Sequence, residues 1–141
     1  MEIEIKKLNK EAKIPSYAYK DDAGMDIFSI ESFVLKPTER RVCKTGVAMK
    51  IPKGFVGLIW DKSGIALNGG IKTMGGVIEN SYRGEIKIIL KNLSNKDYQI
   101  KKGDKIAQML IQKIENPILK EVDELDNTER GQGGFGSTGL R

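Results

Sequence analysis

The first segment of this chain that is suited to chemistry is WDKSGIALNGG (60–70). A hydrophobic run ends there in Lys62, Ser63 and Gly64, so a cation, a hydroxyl and a flexible backbone lie together. These groups suit an oxyanion, because ammonium, hydroxyl and backbone N–H groups all present positive charge to it. An ordinary polar turn is the alternative reading of the same residues.

The second segment is GGVIENSYRGEIKIIL (75–90), which carries a carboxylate and an aromatic ring in a loop before a strand-like run. Glu79 and Tyr82 are three residues apart. A carboxylate is a candidate for acid–base work, and its loop has glycines that allow close backbone approach. Taken singly, however, Glu79 reads more readily as a surface acid and Tyr82 as the edge of a core.

The third segment is the glycine-rich tail RGQGGFGSTGLR, which begins at Arg130. Its glycines let consecutive N–H groups turn toward an anion, while Ser137 and Thr138 add hydroxyl donors. Arg130 adds a planar charged fork, and the ring of Phe135 is able to stack on a base. The spacing is that of a Walker site, but Ser137 stands in place of the lysine and no helix can follow, so the segment is not a Walker site. On composition alone, a disordered terminus is an equal alternative.

Residue types that are missing exclude several classes of enzyme. The chain has no histidine and one cysteine, Cys43. Triads that depend on histidine and HExxH zinc sites are therefore excluded, and acid–base work falls to carboxylates, Lys or Tyr. A single cysteine forms no disulfide within the chain, and the charged start MEIEIKKLNK does not resemble a secretory signal, so we expect a cytoplasmic protein.

The charge of the chain is modestly positive, at +5 from 24 Lys+Arg and 19 Asp+Glu. Such an excess raises the question of nucleic acid. Most of the basic residues are lysines spread singly or in pairs, which is typical of a solvated surface, and no aromatic platform for bases is visible. Binding of single-stranded nucleic acid is therefore the least favoured function, and we predict no nucleic-acid partner.

The elements that must position these segments are strands. Apolar residues alternate with polar ones in strand-like runs that recur every 8 to 15 residues, with turn signals between them. Strand-like runs occupy 33–36, 41–51, 55–60, 71–74, 86–90, 106–114 and 118–122. No run has a clean helical face, and no apolar run approaches the 18 or so residues of a membrane helix. The pattern predicts one all-β domain, a sandwich, jelly roll or barrel, with no membrane partner.

Five segments in order resemble the motifs of the trimeric dUTP pyrophosphatases (dUTPases). They are AGMDIFS (23–29), DKSGIA (61–66), GGVIENSYRGEI (75–86), GDKIAQMLI (103–111) and RGQGGFGSTG (130–139). The resemblance covers essentially the whole chain. It implies a β jelly-roll domain over 1–126, a flexible arm over 127–141 that carries the phosphate-binding motif, and a homotrimer whose active sites are shared between neighbouring subunits.

The resemblance also implies the roles of individual residues. The set that would bind substrate comprises Lys62, Ser63, Gly64, Thr73, Gly76, Val77, Ile78, Tyr82, Lys87, Gln108, Arg130, Phe135, Gly136, Ser137 and Thr138. Within it, Tyr82 would pack under the deoxyribose, and main-chain groups near the Gly76 loop would bind the uracil. The second and fourth motifs would contact the phosphates, and the tail would close over base and γ-phosphate.

The implied reaction is hydrolysis of dUTP to dUMP and pyrophosphate by water that attacks the α-phosphorus. Glu79 occupies the place of the carboxylate that activates water. Mg²⁺ would be held mainly by phosphate oxygens and water rather than by direct protein ligands, with Asp26 nearby, which suits a hard cation. The family usually has Asp at the position of Glu79 and Arg at that of Lys62, so we expect slower turnover.

Two other functions stay open at this point. A dCTP deaminase shares the trimeric fold, although Glu79 and the Tyr82-Arg83-Gly84 run follow the pyrophosphatase pattern. A regulatory protein would keep the pocket for dUTP but turn over slowly.

Overall fold

The computed structural model describes residues 1–139 and contains eleven strands and one short helix within them. The elements are β1 (Glu4–Lys7), β2 (Met25–Phe28), β3 (Phe33–Leu35), β4 (Arg40–Lys44), β5 (Val47–Lys50), β6 (Phe55–Trp60), α1 (Ser63–Gly69), β7 (Ile71–Met74), β8 (Val77–Ile78), β9 (Lys87–Asn92), β10 (Tyr98–Ile100) and β11 (Lys105–Lys113). The all-β class is therefore confirmed.

All strand pairs are antiparallel, and most neighbours in a sheet are distant in sequence. The largest sheet has the order β2-β11-β6-β8, and a second has the order β4-β9-β7. Two further pairs, β1-β5 and β10-β3, complete the framework. Long connections between paired strands are typical of the jelly roll, which closes two sheets over one core.

The core lies between the sheets and is filled by the inward-facing residues of alternating strands. In β9, Ile88 and Leu90 are buried while Lys87 is exposed, as a period of two requires. Met109 of β11 and Ile27 of β2 are fully buried beside them. Each such side chain stabilises the fold by roughly 1.5–3 kcal/mol through burial.

The single cysteine belongs to this core. Cys43 is fully buried, with its Sγ 3.1 Å from Oγ of Ser29. Burial raises the pKa of the Cys43 thiol to about 11. The thiol is therefore neutral near neutral pH and is a packing group rather than a nucleophile.

Two of the predicted strands differ in the structure. Residues 41–51 form two strands rather than one, because Gly46 adopts φ +70° and turns the chain between β4 and β5. Residues 118–122 form no strand, and Ile118 and Leu119 are almost fully exposed. Alternation alone does not make a strand where the chain offers no neighbour to pair with.

The segment 60–70, read from sequence as a loop, contains the helix α1. The helix has seven residues and ends at Gly69; the next residue, Gly70, caps it with a φ of +64°. Glycine at this position allows the left-handed conformation that terminates helices. Among residues 1–139, no helix is long and apolar enough to cross a membrane.

The described part of the chain after β11 has no regular secondary structure. Residues 114–139 are almost all exposed, and Phe135 has a positive φ of +47°. All of the buried apolar core precedes residue 110. The predicted division into a domain (1–126) and an arm (127–141) stays a prediction.

Candidate functional site

The first group of predicted site residues meets on the largest sheet. Gln108 of β11 lies opposite Asp26 on one side and opposite Trp60 on the other. The side chain of Gln108 donates from Nε2 to the carbonyl of Asp61, 2.8 Å away. Strand pairing therefore brings the first, second and fourth sequence motifs into one row. Trp60 is half-exposed at the end of this row.

Gly24 gives Gln108 the space for this arrangement. A Cβ on Gly24 would lie 2.5 Å from Oε1 of Gln108 and 3.2 Å from its Cδ. Both distances are shorter than ordinary contacts, so any larger residue would displace the amide. The glycine of the first motif thus serves a side chain of the fourth.

Asp26 is the buried charge of this group. Its side chain is 3% exposed, with Oδ1 2.5 Å from Nζ of Lys62 and Oδ2 2.6 Å from Nζ of Lys105. Burial opposes ionisation, but the ammonium groups of Lys105 and Lys62 outweigh it and lower the pKa of Asp26. Asp26 is therefore a carboxylate at neutral pH. Oδ2 receives no aligned hydrogen bond, so its contact with Lys105 is an ion pair alone.

Asp61 ties this row to strand β7. Its Oδ1 accepts two hydrogen bonds of 2.7 Å, one from the backbone N–H and one from Oγ1 of Thr73. Its Oδ2 lies 2.8 Å from Nζ of Lys72. Burial raises the pKa of Asp61, but the bonds from Lys72 and Thr73 outweigh this effect and lower it. Thr73 therefore lies at the site with its N–H already committed to Asp61.

We expect Asp61→Ala to lower the free energy of unfolding by about 1–3 kcal/mol, because it leaves two donors of the buried Thr73 without an acceptor. Since the folded pKa of Asp61 is depressed, this stabilisation is present above the unfolded pKa of about 3.9 and is lost as pH falls through the folded value. Urea unfolding at pH 7 and pH 3 measures both effects. Asp123→Ala, at an exposed position after β11, is the control; an equal loss in both variants would contradict the assignment.

Lys62, Ser63 and Gly64 form the exposed edge of the same group. Lys62 has extended backbone angles (φ −86°, ψ 114°) directly before α1, and Ser63 and Gly64 are exposed. A Cβ on Gly64 would meet nothing within 4 Å. The space beside the backbone there is therefore open, and the role of these residues in binding stays a prediction.

The second group lies in and around the β8–β9 loop (residues 79–86), which connects strands of two different sheets. An open cavity of about 460 Å³ is lined by Val77, Ile78, Glu79, Ser81, Tyr82, Glu85 and Lys87. The hydroxyl of Tyr82 donates to the carbonyl of Glu85 at 3.0 Å. A Cβ on Gly84 would lie 2.4 Å from that hydroxyl, so the ring requires glycine there. Glu79 is exposed and faces the cavity beside a fixed aromatic ring.

Gly76 lies directly before β8 and packs against β6. Its φ is +107°, and a Cβ there would lie 2.9 Å from the carbonyl oxygen of Ile59. Its own carbonyl accepts from the N–H of Ile59 at 2.8 Å. Together with Thr73 and Val77, Gly76 lines a groove of about 260 Å³. The loop is thereby fixed with its outer main-chain groups available to a ligand.

Among residues 1–139, no hydrogen bond or ion pair joins the third group, in the glycine-rich tail, to the other two groups. Arg130 donates from Nε to the carbonyl of Gly133 at 2.9 Å, and successive turns follow to Gly139. Phe135, Gly136, Ser137 and Thr138 are all exposed. The tail thus holds its hydroxyls and its charge on a separate coil.

The first two groups are also separated in one chain. Glu79 directly follows β8, whose last residue pairs with Gly57, whereas Asp26 lies across β11 from Trp60. At about 3.3 Å per residue along a strand and about 4.8 Å between strands, their backbones are roughly 20 Å apart. Hydrogen bonds reach about 3 Å, so Glu79 and Asp26 of the same chain do not act on one atom.

Sequence reasoning missed three charged residues of the first group: Asp61, Lys72 and Lys105. Two of them stand inside quoted motifs, and Lys72 stands in a predicted strand. Their partners are distant in sequence, since Lys105 contacts Asp26 and Asp61 contacts Thr73. Only the pairing of β2 with β11 and the approach of β7 to β6 reveal them.

The donors at this site fit a metal that arrives with its own ligands. Within residues 1–139, no three side chains of Asp, Glu, His or Cys cluster so as to hold an ion. Asp26 supplies a carboxylate whose Oδ2 lacks an aligned hydrogen bond, whereas the carboxylate of Asp61 is bonded to Thr73 and Lys72. This donor set suits a hard cation carried by phosphate oxygens and water.

Comparison with known proteins gives consistent results. The dUTPase family model matches residues 10–139. The chain is 49% identical over 141 residues to the deoxyuridine 5'-triphosphate nucleotidohydrolase of Clostridium kluyveri, with 99% of each chain covered. It superposes with a TM-score of 0.93 on the Staphylococcus bacteriophage 80alpha dUTPase with dUpNHpp (36% identity, 99% of each chain). A mutant dUTPase from phage phi11 of S. aureus with a structural Mg(II) ion gives 0.84 (33% identity, 90% of this chain and 100% of that chain).

Proposed function

The chain belongs to the dUTPase family, and on that premise we propose that it hydrolyses dUTP to dUMP and pyrophosphate with Mg²⁺. The observation that carries the proposal is the match over nearly the whole of both chains to a named nucleotidohydrolase. The five motifs lie within that match, and the first four lie on or beside the strands of the jelly roll. We also propose a cytoplasmic location, which the free thiol of Cys43 suits.

The group around the β8–β9 loop binds the nucleoside. Tyr82 packs under the deoxyribose, where a fixed ring leaves no space for a 2′-hydroxyl. Main-chain groups of Gly76, Val77, Ile78 and Lys87 bind the uracil edge. The bonds that fix Tyr82 and Gly76 support this role, because a binding surface held by its own contacts loses little entropy when a ligand arrives. Thr73 also takes part in binding the uracil edge, and its position is fixed by the hydrogen bond from its N–H to Asp61.

The group on the large sheet binds the phosphates. Lys62 supplies an ammonium group, Ser63 and Gly64 supply exposed donors, and Gln108 supplies an amide. The tail then closes over the nucleotide, with Phe135 on the base and Arg130, Gly136, Ser137 and Thr138 around the γ-phosphate. The arm is long enough for this movement, since twelve extended residues span about 40 Å.

Mg²⁺ supplies neutralisation of the charge on the triphosphate when it is bound. Asp26 would add a carboxylate to that region, since its Oδ2 lacks an aligned hydrogen bond. The Mg(II) ion of the phage phi11 relative supports this ion for the family.

Glu79 holds the water that reacts. Its carboxylate accepts a proton as the water oxygen forms a bond to the α-phosphorus, and the bond from that phosphorus to the bridging oxygen breaks. Pyrophosphate then leaves with the electron pair. A positioned base contributes roughly 10²–10⁴-fold in rate, and the donors around the phosphates contribute further by stabilising developing charge.

The complete site needs more than one copy of the chain, and we propose a homotrimer. Glu79 and Asp26 lie roughly 20 Å apart in one chain, by strand geometry. If a neighbouring copy presents its β8–β9 loop to the large sheet, Glu79 of one copy meets Asp26 of the other. The tail is long enough to come from either copy. The partners are therefore dUTP and further copies of this chain.

A substrate panel tests the proposed function. The protein is incubated with Mg²⁺ and dUTP, dCTP, dTTP or UTP, and the products are identified. We expect dUMP and pyrophosphate from dUTP alone. Ammonia from dCTP would instead indicate a deaminase, and tight binding of dUpNHpp without turnover of dUTP would indicate a regulatory protein.

A further inference from the structure

The buried carboxylate of Asp26 binds two ammonium groups that are anchored in different ways. Lys62, at 2.5 Å from Oδ1, lies on the connecting segment before α1. Lys105, at 2.6 Å from Oδ2, begins β11, the strand that pairs with β2. One cation therefore comes from the exposed edge of the site and the other from the framework that carries Asp26 itself.

A β-bulge aims Lys105 at Asp26. Lys105 pairs with Phe28 and Ala107 with Ile27, so the strand gains one residue between them. In regular pairing, positions 105 and 108 would face opposite sides of the sheet, because they are three residues apart. The bulge instead puts Lys105 on the side of Gln108 and Asp26. Bulges commonly redirect a side chain beside a functional site.

The two lysines have different demands on them. The phosphate role of Lys62 requires its ammonium group to turn toward the triphosphate, and its single point charge on a long stem suits a change of partner. Asp26 is too buried to lose all cations, since an unpaired buried carboxylate is strongly unfavourable. A second cation that stays in place removes that cost.

We infer that Lys105 is a positioning residue that keeps Asp26 paired while Lys62 moves from Asp26 to the triphosphate. The inference rests on the proposed function, because it assumes that Lys62 binds phosphate. It assigns to Lys105 no contact with the substrate. Its effect is on the binding of the triphosphate, through the availability of Lys62.

The test is a double-mutant cycle on the full chain, with dUpNHpp and Mg²⁺ as the probe. We expect Lys105→Met to weaken binding of dUpNHpp roughly 10–100-fold. In this variant, Lys62 can bind phosphate only by leaving the buried carboxylate of Asp26 without a cation. Correspondingly, KM for dUTP rises while kcat changes by less than about threefold. Lys105→Arg keeps a cation at the bulge and retains binding within about threefold.

The background of Lys62→Met separates this role from a structural one. With Lys62 already absent there is no transfer, so adding Lys105→Met changes the affinity for dUpNHpp by less than about threefold. An equal weakening in both backgrounds would show that Lys105 only shapes the site, and would overturn the inference.

A structure of the natural protein with dUpNHpp and Mg²⁺ tests the same point without depending on how the variants fold. We expect Lys62 on a phosphate and Lys105 still within about 4 Å of Asp26. Lys62 still on Asp26, or Lys105 detached from it, would overturn the inference. A natural protein that neither binds dUpNHpp nor hydrolyses dUTP would refute the proposed function itself, which is a separate outcome.

Discussion

Glu79→Gln is expected to lower the rate of dUTP hydrolysis roughly 10²–10⁴-fold, because the amide no longer accepts a proton from the attacking water. Glu79 is exposed beside the cavity of the β8–β9 loop, and among residues 1–139 its carboxylate takes part in no hydrogen bond or ion pair. The fold should therefore be unchanged, and KM for dUTP should change little. Pyrophosphate release under saturating dUTP and Mg²⁺ measures the effect.

Two variants serve as controls for this result. Glu2→Gln makes the same chemical change at an exposed position near the N-terminus and should leave the rate unchanged. Glu79→Asp keeps the carboxylate at the length that the family usually has, so we expect turnover at least as fast as that of the natural chain. If Glu79→Gln retained the natural rate, Glu79 would not be the base. If the natural chain were inactive and Glu79→Asp strongly active, the natural form would not be an efficient enzyme.

Truncation after Asp126 is expected to reduce hydrolysis about 10³-fold, because it removes the charge of Arg130 and the donors around the γ-phosphate. The fold should persist, since the buried apolar core ends before residue 110 and the tail packs on none of it. Steady-state kinetics give the rate, and the thermal midpoint, which should be unchanged, reports the fold. A chain that ends at Gly139 is the matched control and should keep its activity.

Mixing the two defective chains tests whether sites are shared. The chain with Glu79→Gln contributes intact tails, and the truncated chain contributes β8–β9 loops with an intact Glu79. If a site draws its parts from different copies, mixed oligomers recover part of the activity that each chain lacks alone. If the activity after subunit exchange equalled the sum of the activities of the two separate preparations, sharing of the tail or the β8–β9 loop between copies would be ruled out.

Alternation in the sequence predicted most of the framework. The strand-like runs at 55–60, 71–74 and 106–114 correspond to β6, β7 and β11 within one residue at each end. The prediction failed where a positive φ or a missing neighbour decided the outcome. Gly46 divides one predicted strand into two, and residues 118–122 find no strand to pair with.

The parts of the site that the sequence could predict are those whose residues are adjacent. Lys62, Ser63 and Gly64 follow one another, so the sequence alone predicts that they lie together. The contacts of Asp26 with Lys105, and of Asp61 with Thr73, cross between strands and depend on register. A bulge adds to the difficulty, because it reverses the side on which a strand presents its residues.

The position of Trp60 has a practical consequence for following the protein at work. It is the only tryptophan in the chain, and it stands half-exposed beside Gln108, at the end of the row that we propose to bind the phosphates. Its indole fluorescence therefore comes from one place, and a nucleotide or a tail that covers it changes the polarity around a single emitter. Stopped-flow fluorescence of the unlabelled protein therefore measures the rates of substrate binding and product release directly.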